Sequence, residues 1–412
     1  MLGVQDGVLP VPPNPIMSKT SQSPTVAVIA EEAGYAKRML LGVAAFLREH
    51  EGWLLQLVAP TDAAVEDALK RIEPTGLLIF DCFLNARMSE RIASLQLPVV
   101  SSGCEGVDFR HQLLRIDAGA IGGIASKTFL DRGFRNIGFV GALAQGETRL
   151  RYEAFRSRLE MAGVSPLLFI ANTTPGQTAE GSELESAPTR ARLARWLDQL
   201  PKPAAVFASD DRMAFEVHLC CTRLGIRIPD QVALLGVNDD AFLCRIANPN
   251  LSSIRLPFER MGYDAAKCLR KMMRGAVDVK VPLVYEPVGL IVRDSTKQVV
   301  VEDVMVRDAL IYIQENCMRP VNVEDILDAL KVSRSLLERR FKEAIGVTPL
   351  VELRRQRIEL ARALLSDTTE PIQDLGARCG FSSPIRFTTV FREQVGMTPS
   401  EFRKLMIPGA NG

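Results

Sequence analysis

Leu337 and Phe341 lie one helical turn apart and Ile345 continues their apolar stripe, leaving Arg334, Ser335, Glu338, Arg339 and Lys342 on the other face of the same segment. Those side chains carry the donors and acceptors that read base edges. A guanidinium can bond O6 and N7 of guanine together, and a carboxylate accepts from N4 of cytosine. Arg334 and Arg339 are the expected base readers, and Lys342 an expected phosphate contact. Standing alone, such a stripe would be an ordinary solvated helix face. Further on, however, Phe387 and Phe391 form a second stripe and leave Ser383, Pro384, Ile385, Arg386 and Thr389 facing out. Ile385 and the Thr389 methyl suit thymine methyl groups, and Arg386 suits a phosphate or a base.

Both stripes belong to one repeated unit. Val323 to Phe341 is followed by Gly346-Val-Thr-Pro349, and Ile372 to Phe391 by Gly396-Met-Thr-Pro399. Each copy reads as a short amphipathic helix, a tight turn, a second helix opened by serine, and a Gly-x-Thr-Pro stop. This is the helix-turn-helix pattern, whose second helix enters the DNA major groove. The two motifs are expected over 323–345 and 372–395, the second carrying one extra residue at the start of its reader helix. Between them, Pro349 to Leu365 predicts a helix about 25 Å long at 1.5 Å per residue. Such a rod could hold both readers in successive grooves about 34 Å apart. Lys331 stands in the first turn where Gly380 stands in the second. If that position takes positive φ, lysine costs about 1 kcal/mol there.

Composition bounds the rest. A chain of 412 residues, 47% hydrophobic and 24% charged, predicts two or three globular domains. The net charge of +1 excludes a polycation, so nucleic-acid contacts must come from local clusters. Such clusters are Arg334, Arg339, Arg340 and Lys342, then Arg354, Arg355 and Arg357. The eight cysteines have no metal-site spacing and are expected to be reduced thiols in the cytoplasm. Residues 1–23, proline-rich before Met17 and without an apolar h-region, are expected to be a disordered tail, with translation starting at Met1 or Met17. No apolar run is long enough to span a membrane. Three histidines and the lack of a G-x-S-x-G, a P-loop or a G-x-G-x-x-G after a strand argue against an enzyme, and no cofactor or metal is expected.

From Pro24 to about Val292, β-rich runs such as Thr25–Ala30, Gly76–Phe80 and Ala204–Ala208 alternate with helical stretches, which predicts parallel sheets covered by helices on both faces. Ligands of such sheets sit at the carboxyl ends of the strands. That places Glu31, Glu32, Tyr35, Asp81, Arg149, Arg151, Asp211 and Asn238 as candidate contacts, a set whose paired hydrogen bonds suit the hydroxyls of a polyol. The alternative for each is a solvated loop residue or a helix cap.

Several strings in this region resemble the sensor domain of the LacI/GalR repressors, itself similar to periplasmic sugar-binding proteins. Among them are Arg132-Gly-Phe-Arg-Asn-Ile-Gly-Phe-Val-Gly141, Ser209-Asp-Asp-Arg-Met-Ala214 and Ile228-Pro-Asp-Gln-Val-Ala-Leu-Leu-Gly-Val-Asn-Asp-Asp240. The tandem motifs with their Gly-x-Thr-Pro stops resemble the AraC/XylS activators. The two together, with Val332 to Phe341 opening the first reader, resemble the regulators of xylose operons. The resemblance implies an α/β two-lobed, periplasmic-binding-protein-like sensor followed by an all-α domain with two helix-turn-helix motifs. The corresponding spans are 24–293 for the sensor, 294–304 for a polar linker, 305–405 for the DNA-binding domain and 406–412 for a tail. It further implies a sugar-responsive activator of a sugar-catabolic operon, xylose foremost. Its partners would be a double-stranded DNA operator, a pentose effector, RNA polymerase and a second copy of the chain. A repressor is the alternative, because the sign depends on operator position; a sugar-active enzyme with a DNA-binding tail is another. One departure stands out: the family carries Asp where this chain has the uncharged Asn238.

Overall fold

The computed structural model describes residues 23–31, 34–50, 52–80, 82, 84–103, 111–143, 146–171, 187–275 and 282–406. Its first part runs β1 (Thr25–Ala30), α1 (Gly34–Glu49), β2 (Leu54–Val58), α2 (Asp62–Ile72), β3 (Gly76–Phe80), α3 (Ala86–Ser94), β4 (Val99–Ser102) and β5 (Gln112–Ile116). There follow α4 (Ala118–Leu130), β6 (Asn136–Gly141), α5 (Gly146–Met161), β7 (Leu167–Ile170), α6 (Ala187–Gln199) and β8 (Ala204–Ala208). The series continues through α7 (Asp211–Leu224), β9 (Val232–Asn238), α8 (Leu243–Ile246), β10 (Ser252–Arg255), α9 (Phe258–Met273), β11 (Leu283–Tyr285) and β12 (Gly289–Ile291).

The strands form two six-stranded sheets, ordered β11-β5-β4-β3-β1-β2 and β12-β10-β9-β8-β6-β7. Among the described residues every strand pairing is parallel except β10 with β12. Strands β3 and β8 are buried along their whole length, as a parallel strand sandwiched between helix layers must be. Helices α2 and α3 cover one face of the first sheet, and α6 and α7 one face of the second. The other faces share one apolar core with α1, α4, α5 and α9. The chain passes between the lobes three times: after β5 to α4, from β10 to α9, and from β11 to β12. Helix α9 thereby returns to the first lobe and crosses α1 at backbone contact. Gly42 and Gly262 make that possible, since a Cβ on Gly262 would lie 1.9 Å from the Met39 carbonyl oxygen.

The remainder is helical: α10 (Val304–Asn316), α11 (Val323–Leu330), α12 (Arg334–Ile345), α13 (Pro349–Asp367), α14 (Ile372–Arg378), α15 (Pro384–Val395) and α16 (Pro399–Met406). Both motifs are present, with Leu337, Phe341, Phe387 and Phe391 fully buried as their spacing predicts. The rod α13 reaches Asp367, two residues past the expected end, making it about 28 Å long at 1.5 Å per residue. Lys331 does adopt the left-handed conformation, at φ 55°, as Gly380 does at 76°. Gly380 answers a second demand as well. A Cβ there would lie 2.3 Å from the carbonyl oxygen of Cys317 and 2.5 Å from that of Arg319, so the second turn is pressed against the link between α10 and α11.

Two expectations change. Arg354, Arg355 and Arg357 do not make one charged surface. Arg357 is buried and donates to three main-chain oxygens, of Cys317 (2.9 Å), Arg319 (2.6 Å) and Val321 (2.7 Å). Arg355 lies between Glu352 and Glu359 on its own helix. The stretch 294–304, expected as a polar spacer, is instead packed. Ser295 and Thr296 are fully buried, and the Ser295 hydroxyl donates to Leu234 O (2.6 Å) while accepting from Ser252 N (2.8 Å). Val299 and Val301 enter the core of the first motif, whereas Val300 packs on the sensor core and its N–H donates to Arg132 O (2.7 Å).

Replacing Arg357 by methionine keeps bulk but strands three carbonyl groups. The helical region is expected to lose about 3 kcal/mol of stability, seen as an earlier urea transition by circular dichroism. An unchanged transition would show that these bonds contribute nothing net.

Candidate ligand cleft and nucleic-acid interface

The carboxyl ends of the two sheets are brought together by Arg38 on α1. Its guanidinium pairs with Glu259 of α9 (2.7 Å) and crosses to the second lobe to donate to Asn238 O (2.9 Å) at the end of β9. Around this junction lie most of the residues expected from strand ends. Glu31 is half-buried just after β1. Tyr35 stacks on Phe258 with ring centroids 4.5 Å apart, and its hydroxyl sits where a side chain on Gly103 would have to be. Glu32 and Asp81 fall outside the described residues. Arg149 is exposed on α5. Arg151, one half-turn further, donates from Nη1 to Ser209 O (2.7 Å) just beyond β8.

Among the described residues, three buried polar atoms here have no hydrogen-bond partner: Nε of Arg151, Oδ1 of Asn238 and Oγ of Ser101 in β4. Leaving such atoms unpaired costs about 1–3 kcal/mol each, so the site favours something that bonds them. A donor, an acceptor and a hydroxyl able to do both match the hydroxyls of a small polyol. Ser101 was missed in the sequence. The signal was a pair of hydroxyls at the carboxyl end of a strand opened by two valines. Asn238 and Asp239 both have left-handed backbones, at φ 104° and 55°. Two successive non-glycine residues in that region are held there by their surroundings.

Those surroundings are ionic and, for Asp211, fully internal. Asp211 Oδ2 accepts from Asp240 N (2.7 Å) and Oδ1 from the Ser253 hydroxyl (2.6 Å), with the carboxyl packed over Gly236. Both oxygens are thus engaged inside the second lobe. Asp211 thereby braces residues 238–240. Burial pushes its pKa up to about 8, outweighing the two hydrogen bonds. For Asp239, burial acts in the same direction, but Arg255 and Arg293 on either side hold its carboxyl below the ordinary value.

On the helical domain, Arg339 and Lys342 are exposed on α12, and their side chains make no hydrogen bond or ion pair among the described residues. Arg334 is also exposed but pairs with Glu324 of α11, and Glu338 lies 3.6 Å from it. Ser335 is exposed beside Ser333. Arg340, part of the same charged run, turns away to Asp303 (2.8 Å). In the second motif Ser383 caps α15 by accepting from Arg386 N (3.2 Å), and Pro384 takes the first helical position. Ile385 is 81% exposed, and Arg386 and Thr389 are exposed with it. The Thr389 hydroxyl is tied to Ile385 O (3.0 Å), which leaves its methyl as the group free for contact. The first face is therefore polar and cationic, the second largely apolar.

Asp211→Asn imitates the protonated acid. A carboxyl whose folded pKa is raised from 3.8 to about 8 stabilises fully below the lower value and loses that contribution as pH rises through the upper one. The wild type should therefore lose melting temperature relative to Asp211→Asn between about pH 5 and pH 8. Parallel melting profiles would mean that Asp211 is ionised throughout.

Comparison with known proteins agrees with both halves. Residues 127–296 match the model of a periplasmic binding protein-like domain, and residues 326–405 that of a helix-turn-helix domain. The chain is 32% identical over 225 residues to the xylose operon regulatory protein of Escherichia coli K12, covering 53% of this chain and 57% of that protein. The protein of the same name from Haemophilus influenzae is 30% identical over 212 residues, covering 52% and 55%. The chain thus spans little more than half the length of these curated relatives. Among solved structures, a xylose-binding transcription activator, xylR, superposes over 92% of this chain and 98% of its own, with a TM-score of 0.54 at 22% identity. A CelR–cellobiose complex covers 66% and 84%, with a TM-score of 0.55 at 23% identity. At these identities the likeness is one of fold. The chain thus carries a periplasmic binding protein-like domain followed by a helix-turn-helix domain.

Proposed function

We propose that this protein is a transcription regulator that binds an operator in double-stranded DNA through α12 and α15 and is controlled by a monosaccharide held between the lobes. The observation that carries this reading is the set of unpaired polar atoms on Ser101, Arg151 and Asn238 at the carboxyl ends of the two sheets, in the same chain as two exposed reader faces. A pentose, D-xylose first, is the effector suggested by the names of the relatives. Arg149 and Glu31 stand near enough in sequence to these strand ends to add polar contacts, as do Tyr35 and Asp81 in the expected set. The AraC-type domain supports activation, with contact to RNA polymerase, and paired half-sites would call for a homodimer. The protein would work in the cytoplasm, without cofactor or catalytic step. Among the described residues no helix is long and apolar enough to cross a membrane.

A panel of monosaccharides read by thermal shift tests the effector. A ligand at a hundred times its Kd adds about 2.7 kcal/mol of apparent stability, and Asn238→Ala should lose the shift given by D-xylose. A flat response to pentoses and hexoses alike would remove sugar control. For the DNA face, Arg339→Ala is expected to lose about 1–3 kcal/mol of discrimination at one base pair, measured by competition among single-base operator variants. Unchanged base preference would reassign Arg339 to the phosphate backbone.

A further inference from the structure

The cleft and the rod meet at one side chain. Arg255 ends β10 at the crossover into α9. Its Nε donates to Oδ2 of Asp239 (2.7 Å), the residue that follows Asn238. From the same guanidinium, Nη1 reaches the carbonyl oxygen of Ala363 in α13 (3.4 Å). The Arg255 main-chain oxygen accepts from Val288 N (2.9 Å), and Val288 is buried in the core of the second helix-turn-helix motif with Ile358, Leu375 and Phe387. Arg255 is thus joined to the strand end in the cleft, to a lobe crossover and to the helix that carries both readers.

Beside that apolar core, the contact between rod and sensor includes polar groups that are incompletely satisfied. Arg362 donates to Pro287 O (3.3 Å), yet its Nε has no hydrogen-bond partner among the described residues. Neither has Oε2 of Glu359, one turn earlier on α13, nor Nε and Nη2 of Arg403 on α16, which packs against α13 and α9. Water would satisfy all of these if the rod moved off, so docking is opposed by a hydration term and is open to a small bias. At the other end of the path, Asn238 offers an unpaired Oδ1 from a left-handed backbone that Asp239 continues. A ligand that bonds Oδ1 acts directly on that pair.

We infer that Arg255 is the positioning residue that couples the cleft to the DNA-reading domain. When a ligand turns Asn238 and Asp239, the Asp239 carboxylate carries the Arg255 guanidinium with it, and Ala363 O keeps or loses this second donor beside its helical one. This rests on the regulator reading above. It adds to that reading a single route: the forked guanidinium that spans two acceptors.

Linkage makes the idea measurable, because a sugar that changes DNA affinity by some factor has its own affinity changed by DNA by the same factor. The D-xylose Kd is measured by calorimetry on the full chain, alone and with a duplex selected in vitro for binding. The wild type is expected to show a ratio of about 5-fold or more between the two. Arg255→Lys keeps a cation beside Asp239 but lacks the fork. It should bring that ratio to about 1, whatever it does to either Kd alone. A variant that keeps the wild-type ratio overturns the inference. Should Arg255→Lys fail to fold, hydrogen exchange on the wild type decides: D-xylose is expected to change exchange of the α13 amides from Arg362 to Asp367 by about 10-fold, and no change overturns it. A wild-type ratio of 1 defeats the regulator reading itself, and this inference with it.

Discussion

The buried carboxylate of Asp239, held between the guanidinium groups of Arg255 and Arg293, is the interaction on which the rest of the molecule turns. A lone ion at that depth would be expelled or neutralised; two cations make it tenable, and the Asp239 N–H, donating to the Ser253 hydroxyl (2.9 Å), holds the backbone in place. The arrangement fixes the end of β9 in a backbone conformation that side chains rarely adopt, and so presents Asn238. Arg293 carries the restraint to Leu251 O (2.7 Å) and to the start of the segment leading to the helical domain. Cleft, crossover and connector therefore share one charged centre.

Much of the fold is legible in the sequence because its strands are buried on both faces. Thr25–Ala30, Gly76–Phe80 and Ala204–Ala208 are read to the residue, since an unbroken apolar run of that length bounded by polar turns has few other uses. The left-handed turn at Lys331 is also legible, through its counterpart Gly380. The crossing of α1 over α9 is not. Gly42 and Gly262 lie far apart in the chain, and neither shows locally that it faces the other. The order of strands within each sheet is hidden for the same reason.

Residue type misleads where helical phase would have helped. Arg354, Arg355 and Arg357 look like one basic patch, yet Arg357 falls in step with Leu353, Ala361 and Leu365, all buried. Its position predicts an inward side chain, and an inward guanidinium needs carbonyl groups to bond, which the link between α10 and α11 supplies. Asp211 is a similar case. Its place after a strand suits a ligand contact, but Gly236 beneath it leaves room for the carboxyl to fold inward. What can be read from a strand end is that something polar is needed there; which way it turns depends on neighbours in other strands.

The connector has a consequence for how such chains can be recombined. Val299 and Val301 face one core and Val300 the other, an alternation with a period of two. Parity is therefore conserved across the junction. Adding or removing one residue would present each valine to the wrong partner, whereas a change of two would restore the pattern with a shifted span. Sensor and reader are indexed to one another like teeth on a rack, and a graft of a foreign sensor onto this helical domain has to keep count.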